Sequence, residues 1–140
     1  MTDAEKNRRV AEKIMGWTPV RRTWAISSWG ETWALCNADG EPVGGVGYCP
    51  DEEGCWSRCP DFGDWPGVPL LLARLNALGY SLTIMVRDND GLAMVELDRY
   101  ASTSPLPPGM KPESYGEADT VPLALRDAAL ALVGGGADGG

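Results

Sequence analysis

A leucine-rich segment in the middle of the chain constrains the fold most strongly. Between Asp64, a suitable N-cap, and Gly79, a suitable C′ residue, apolar residues recur at helical spacing. The apolar face consists of Val68, Leu71, Leu72, Leu75 and Leu78. Residues 81–87 and 92–98 alternate in polarity around the turn-forming residues 88–91, which predicts a β-hairpin. The hairpin gives the helix a sheet on which to bury its apolar face.

Two further helices are predicted at the ends of the chain. Thr2 and Glu5 form a capping box for a helix over residues 3–15, and Gly16 is suited to end it. Thr120 is suited to cap the last helix, which tolerates a proline in its first turn and continues to residue 133.

The remaining segments predict strands, loops and a tail. Residues 32–36 and 42–48 are predicted strands, with an earlier strand near 22–27. Residues 50–60 and 100–119 are predicted to be irregular because turn-forming residues are frequent there. The chain is therefore predicted to form one α+β domain over residues 1–133, followed by a flexible glycine-rich tail over 134–140.

Length and composition fit a single small domain. The chain has 140 residues, of which 44% are hydrophobic, enough to build a core. It has no run of about 18 apolar residues, and residues 1–10 are charged with no apolar stretch behind them. We therefore expect neither a membrane span nor a signal peptide, and a location in the cytoplasm.

Charge is distributed unevenly along the chain. The net charge is −8, but residues 1–24 contain six basic and three acidic residues, a charge of +3, so the remainder carries −11. An acidic body repels phosphate backbones, which disfavours nonspecific nucleic-acid binding. Two interpretations stay open: the acidity provides solubility, or it lets the surface imitate nucleic acid at a basic site of a host protein.

The absence of histidine restricts the possible chemistry most. The chain contains no histidine, which removes the usual general base near neutral pH and the commonest metal ligand. The pairs Asp61 with Asp64 and Asp88 with Asp90 lack supporting ligands and are most simply turn and cap residues. We predict no catalytic residue and no enzymatic activity.

Four cysteines form the candidate metal site. Cys36, Cys49, Cys55 and Cys59 could supply four thiolates to a tetrahedral structural zinc ion. Paired C-x2-C spacings, which are typical of such sites, are missing. Free thiols in a reducing compartment, or a redox role, are the alternatives.

Tryptophans mark a candidate ligand or partner surface. Of six tryptophans, Trp17, Trp33 and Trp65 fit packing positions. Five residues in polar surroundings are the candidates for binding: Arg21, Arg22, Trp24, Trp29 and Trp56. Indole stacking together with guanidinium charge would suit a small anionic nucleotide.

The order of four short motifs resembles that of the phage ABA-sandwich domain family. These motifs are AEKIMGW at the end of the first helix, CPDFGDW before the second, LNALGYSLTI into a strand, and TVPLALRDAALALVG at the end. The resemblance covers residues 5–134. It implies helices packed on both faces of an antiparallel sheet, an α/β/α sandwich, and a phage origin, but no shared enzymatic activity.

These observations together predict a phage or prophage accessory binding protein. Its expected role is to bind a host protein and so counteract a host defence system. The alternatives are a sponge that sequesters a small anionic nucleotide signal, for which a homo-oligomer would form the pocket, and a zinc-stabilised structural interaction module.

Overall fold

The computed structural model describes residues 1–23, 31–43, 48–100, 106 and 109–133. Within this part of the chain, four α-helices accompany two antiparallel sheets of three strands. The helices are α1 (Asp3–Val10), α2 (Glu52–Ser57), α3 (Val68–Ala77) and α4 (Val121–Leu132). The first sheet contains β1 (Thr18–Thr23), β2 (Glu31–Cys36) and β3 (Tyr48–Cys49), and the second contains β4 (Tyr80–Val86), β5 (Ala93–Arg99) and β6 (Glu113–Ala118).

The first helix forms where its local signals predict it. The Thr2 hydroxyl accepts a hydrogen bond from the Glu5 backbone N–H, and the Glu5 carboxylate accepts one from the Thr2 backbone. After α1, one π-helical turn over Ala11–Met15 continues the helix, and Gly16 ends it with a φ of 74°. The predicted helix over residues 3–15 is confirmed.

The leucine-rich helix and the last helix are confirmed as well. The Asp64 carboxylate accepts from the Trp65 N–H, a 3₁₀ turn leads into α3, and Gly79 follows with a φ of 90°. The Thr120 hydroxyl accepts from the Leu123 N–H at the start of α4. Val68, Leu71 and Leu75 are buried, whereas Leu72 and Leu78 are partly buried.

The first sheet differs in detail from its prediction. The strand at 32–36 is confirmed, but the strand predicted near 22–27 begins at Thr18 and ends at Thr23, and residues 24–30 lie outside the described part. Of the strand predicted at 42–48, Pro42 forms an isolated bridge with Cys36, β3 is short, and residues 44–47 are not described. Pro19 is tolerated in β1 because β1 is an edge strand.

Two segments predicted to be irregular contain regular structure, so both of these predictions are wrong. Residues 50–60 include α2, because the Asp51 carboxylate caps it by accepting from the Gly54 N–H at 2.7 Å and because Cys55 is buried. Residues 100–119 include β6, which pairs with β5 along its whole length. The predicted tail over 134–140 lies outside the described residues.

The second sheet positions the candidate site. Its hairpin, β4 and β5, is confirmed, and the β5 residues Ala93, Val95 and Leu97 are buried on one face. Helix α4 packs on that inner face, against β5 and β6. The α+β class and the antiparallel pairing are therefore confirmed, while the strands are divided between two sheets instead of one.

Candidate functional site

The outer face of the second sheet carries exposed carboxylates. In β5 the buried residues alternate with Glu96 and Asp98, which are exposed. The register with β6 places Asp98 opposite Glu113 and Glu96 opposite Tyr115. We call this surface the acidic face. It consists of Ser81, Thr83, Met85, Met94, Glu96, Asp98, Glu113, Tyr115 and Glu117.

One end of the acidic face is electrostatically compensated. Arg87 lies 3.0 Å from Glu117 and 2.8 Å from Asp90. The Tyr115 hydroxyl donates to Glu117 at 2.7 Å, and this hydrogen bond is the main reason why the pKa of Tyr115 is raised. At this end, Glu117 therefore has partners within the protein.

The other end is not compensated. Within the described part of the chain, Glu96, Asp98 and Glu113 form no ion pair. Like charges directly opposite each other across two strands are destabilising, so the Asp98 and Glu113 pair costs folding free energy. Such a pair favours a role in binding a positively charged group.

The shape of the acidic face suits a flat partner. Glu96, Asp98, Glu113, Ser114 and Tyr115 line an open depression of about 380 Å³. Small-molecule sites are usually enclosed and mostly apolar, and this depression is neither. In the described ranges, no three or more Cys, Asp or Glu side chains are grouped so that they could hold a metal ion.

Local sequence explains why one face is covered and the other is open. On the inner face of β6, Ser114 and Gly116 have small side chains or none, so α4 approaches closely and the Ser114 hydroxyl donates to the Ala128 carbonyl at 2.5 Å. On the outer face the alternate residues are charged or aromatic, and in the described part no helix covers them.

The cysteines predicted as zinc ligands do not gather as one set. Cys36, Cys49 and Cys55 are buried, and Cys49 and Cys36 both contribute to raising the pKa of Cys55. Burial, followed by a hydrogen bond with Cys49, raises the pKa of Cys55 to about 12. Burial raises the pKa of Cys59 to about 12. All four cysteines lie in the described part of the chain, and there no three or more of the candidate ligand side chains are grouped so that they could hold a metal ion.

The predicted tryptophan and arginine surface is described only in part. Trp24 and Trp29 lie outside the described residues, and the Arg22 side chain is not described either. Arg21 is exposed on β1, while Trp56 lies on α2 with the Arg8 guanidinium 4.8 Å from its ring. Arg8 thus occupies one face of the indole that a nucleobase would need.

Sequence reasoning missed the acidic face. The alternation of acidic and apolar residues in β5 was a usable signal for an exposed outer face. The contribution of Glu113 and Tyr115 has no such signal, because the sequence of residues 100–119 predicts an irregular segment.

Comparisons with known proteins leave the fold and the acidic face as the basis for a function. No family model, curated protein or solved structure matches the chain. The resemblance to the phage ABA-sandwich family therefore stays a prediction. Among the described residues, the helices are too short or too polar to cross a bilayer.

The raised thiol pKa values predict low cysteine reactivity. With pKa values of about 12, Cys55 and Cys59 carry very little thiolate at pH 8, and the thiolate is the reactive form. We expect an aromatic disulfide reagent to modify the native protein at least about 100-fold more slowly than the unfolded chain, which should release four equivalents. One rapidly reacting equivalent in the native protein that disappears in Cys59→Ser would contradict the raised pKa of Cys59.

Proposed function

We propose that this protein is a non-catalytic accessory protein that binds a host protein stoichiometrically through its acidic face. The observation that carries the proposal is the exposed pair of Asp98 and Glu113, which face each other and have no ion-pair partner among the described residues. A basic side chain from a partner would relieve the repulsion of this pair, so part of the binding free energy would come from removing a cost already present in the free protein.

The other residues of the acidic face support a protein partner. Tyr115 is exposed beside the carboxylates, and Met85 and Met94 extend the face toward β4. Tyrosine and methionine are enriched at the centres of protein interfaces, where their large surfaces exclude water around charged contacts. The partner surface we propose is basic, with lysine or arginine side chains arranged around an apolar centre.

The biological setting rests on the sequence. The motif order that resembles the phage ABA-sandwich family supports a phage or prophage origin, and the partner would then be a bacterial host protein in the cytoplasm. An acidic surface that occupies a nucleic-acid-binding or otherwise basic site would inhibit that partner, which fits a role against a host defence system.

Charge reversal on the acidic face tests the proposal. The double variant Glu96→Lys with Glu113→Lys changes two exposed side chains that have no ion-pair partner among the described residues. Affinity capture from a bacterial host lysate, followed by calorimetric titration with the recovered protein, should show at least about 100-fold weaker binding by the variant, since each reversal opposes a basic contact.

A matched control separates the effect of changing the acidic face from the effect of changing the net charge. Asp39→Lys with Glu41→Lys makes the same change of charge at two exposed residues of the turn after β2. This control should bind the recovered protein as the wild type does. Equal binding by the acidic-face variant and the wild type would contradict the proposal, as would a recovered partner with an acidic contact surface.

A further inference from the structure

The second sheet has one edge strand without the usual protection against pairing. Natural edge strands avoid intermolecular pairing through charge, proline or short length. Among the described strands, β1 contains Pro19 and Arg21, β3 has two residues, and β6 carries Glu113 and Glu117. In contrast, β4 has seven residues, YSLTIMV, without a charge or a proline.

Among the strands that the structure describes, none pairs with the outer edge of β4. At its two ends, the Gly79 carbonyl accepts from the Tyr100 N–H at 3.1 Å, and the Arg87 N–H donates to the Leu92 carbonyl at 3.0 Å. Successive residues of an antiparallel strand point their backbone groups in opposite directions, so residues at odd positions bond to β5. The backbone groups directed to the outer edge are those of Tyr80, Leu82, Ile84 and Val86.

The side chains along this edge are apolar and exposed. The exposed fraction is 46% for Ile84, 43% for Met85 and 58% for Val86. Ile84 and Val86 lie on the inner face of the sheet and Met85 on the outer face, so apolar surface borders the free edge on both sides. A strand added at this edge would bury apolar surface above and below the new hydrogen bonds.

We propose that β4 pairs antiparallel with β4 of a second copy of this chain, across a two-fold axis at Thr83. This register places Leu82 beside the partner's Ile84, and Ser81 beside the partner's Met85. The two Thr83 residues face each other, which is a favourable cross-strand pair. The two second sheets then form one six-stranded sheet.

Charge favours a second copy as the occupant of this edge. Two chains of charge −8 repel each other over most of their surfaces, but β4 brings no charged residue to the new contact. In the antiparallel arrangement, the Arg87 residues of the two copies lie at opposite ends of the paired strands. Parallel pairing would bring them together, so charge also selects the antiparallel form.

The oligomeric state of the full chain tests this inference. Light scattering after size exclusion should give twice the 15.0 kDa mass of one chain for the wild type. Ile84→Lys should raise the dimer dissociation constant about 100-fold, because a symmetric interface contains the substitution twice. The control Tyr115→Lys changes a side chain with the same exposed fraction, 46%, on the opposite edge strand and should stay dimeric.

Three results would overturn the inference. The first is a wild-type protein that remains monomeric at the concentrations used for NMR. The second is a dimer that still forms in both the Ile84→Lys and the Val86→Lys variants. The third is rapid hydrogen exchange of the Ile84 backbone amide in the wild-type dimer. Circular dichroism establishes that each variant is folded before its mass is interpreted. The measurements of molar mass and amide exchange require no host partner. A failure of the proposed dimer can therefore be distinguished from a failure of the proposed binding by the acidic face.

Discussion

Gly116→Ala is expected to lower the free energy of unfolding by about 3 kcal/mol or more. A Cβ at this position would collide with the Ala124 carbonyl oxygen and would lie 2.5 Å from the backbone N of Ala128. Both are backbone atoms of α4, so no side-chain rotation relieves the overlap. Either β6 or the whole helix must move, and the bond from Ser114 to the helix backbone is then lost. Urea denaturation followed by circular dichroism measures the change.

Gly91→Ala is the matched control for this substitution. Gly91 lies in the hairpin turn with a φ of 70°, and no atom lies within 4 Å of an added Cβ. The cost there is that of the left-handed conformation alone, about 1 kcal/mol. If Gly116→Ala costs no more than Gly91→Ala, the close approach of β6 to α4 is contradicted.

The sequence predicts the helices well because their signals are local. Thr2, Asp64 and Thr120 each cap a helix with their own side chain, through hydrogen bonds to residues one to three positions further on. The hairpin of β4 and β5 is equally local, since its turn lies between two alternating segments. All of these signals act within a few residues, so a single sequence contains them.

Structure that depends on packing between elements was not predictable. The segment of β6, ESYGEA, lacks an apolar alternation because its inner face contains Ser114 and Gly116. These two small residues allow α4 to approach β6 closely. Helix α2 is a short element whose burial of Cys55 depends on the first sheet. Both elements depend on contacts with other elements of the fold, and a local sequence pattern does not contain these contacts.

The sequence predicts one of the two strands that supply the carboxylates of the acidic face. Glu96 and Asp98 alternate with buried residues of β5, and the sequence shows this alternation directly. The repulsive pairing with Glu113 arises only from the register of β5 and β6, which no local pattern specifies. The net negative charge of the chain therefore indicated the sign of the charge on this face, but not where the face lies on the fold.

A buried arginine in α4 was also missed, because helix patterns give an arginine among leucines and alanines no distinctive role. Arg126 is 2% exposed, and its guanidinium donates to Asp3 at 2.8 Å and to the Asn7 side-chain oxygen at 3.4 Å. Asp61 lies 3.7 Å away. The same Asn7 oxygen accepts from the Phe62 N–H, so this cluster joins α4 to α1 and to the loop before α3.

Arg126→Ala is expected to lower the free energy of unfolding by about 3 kcal/mol, because it leaves a cavity where a long side chain was buried. The loss of charge should matter less. The Asp3 and Asp61 side chains are 80% and 59% exposed, so water can solvate both carboxylates when the guanidinium is absent. Asn7 keeps its bond from the Phe62 backbone.

Arg126→Met separates packing from charge at this position. Methionine fills most of the volume of the arginine stem without its charge, so this variant should lose about 1 kcal/mol or less. Chemical denaturation of both variants at low and high salt measures the two contributions. Equal destabilisation by alanine and methionine would show that the ionic contacts of Arg126, and not its packed stem, hold α4 against α1. Since exposed carboxylates are well solvated without a partner, we expect the methionine variant to remain close to the wild type at both salt concentrations.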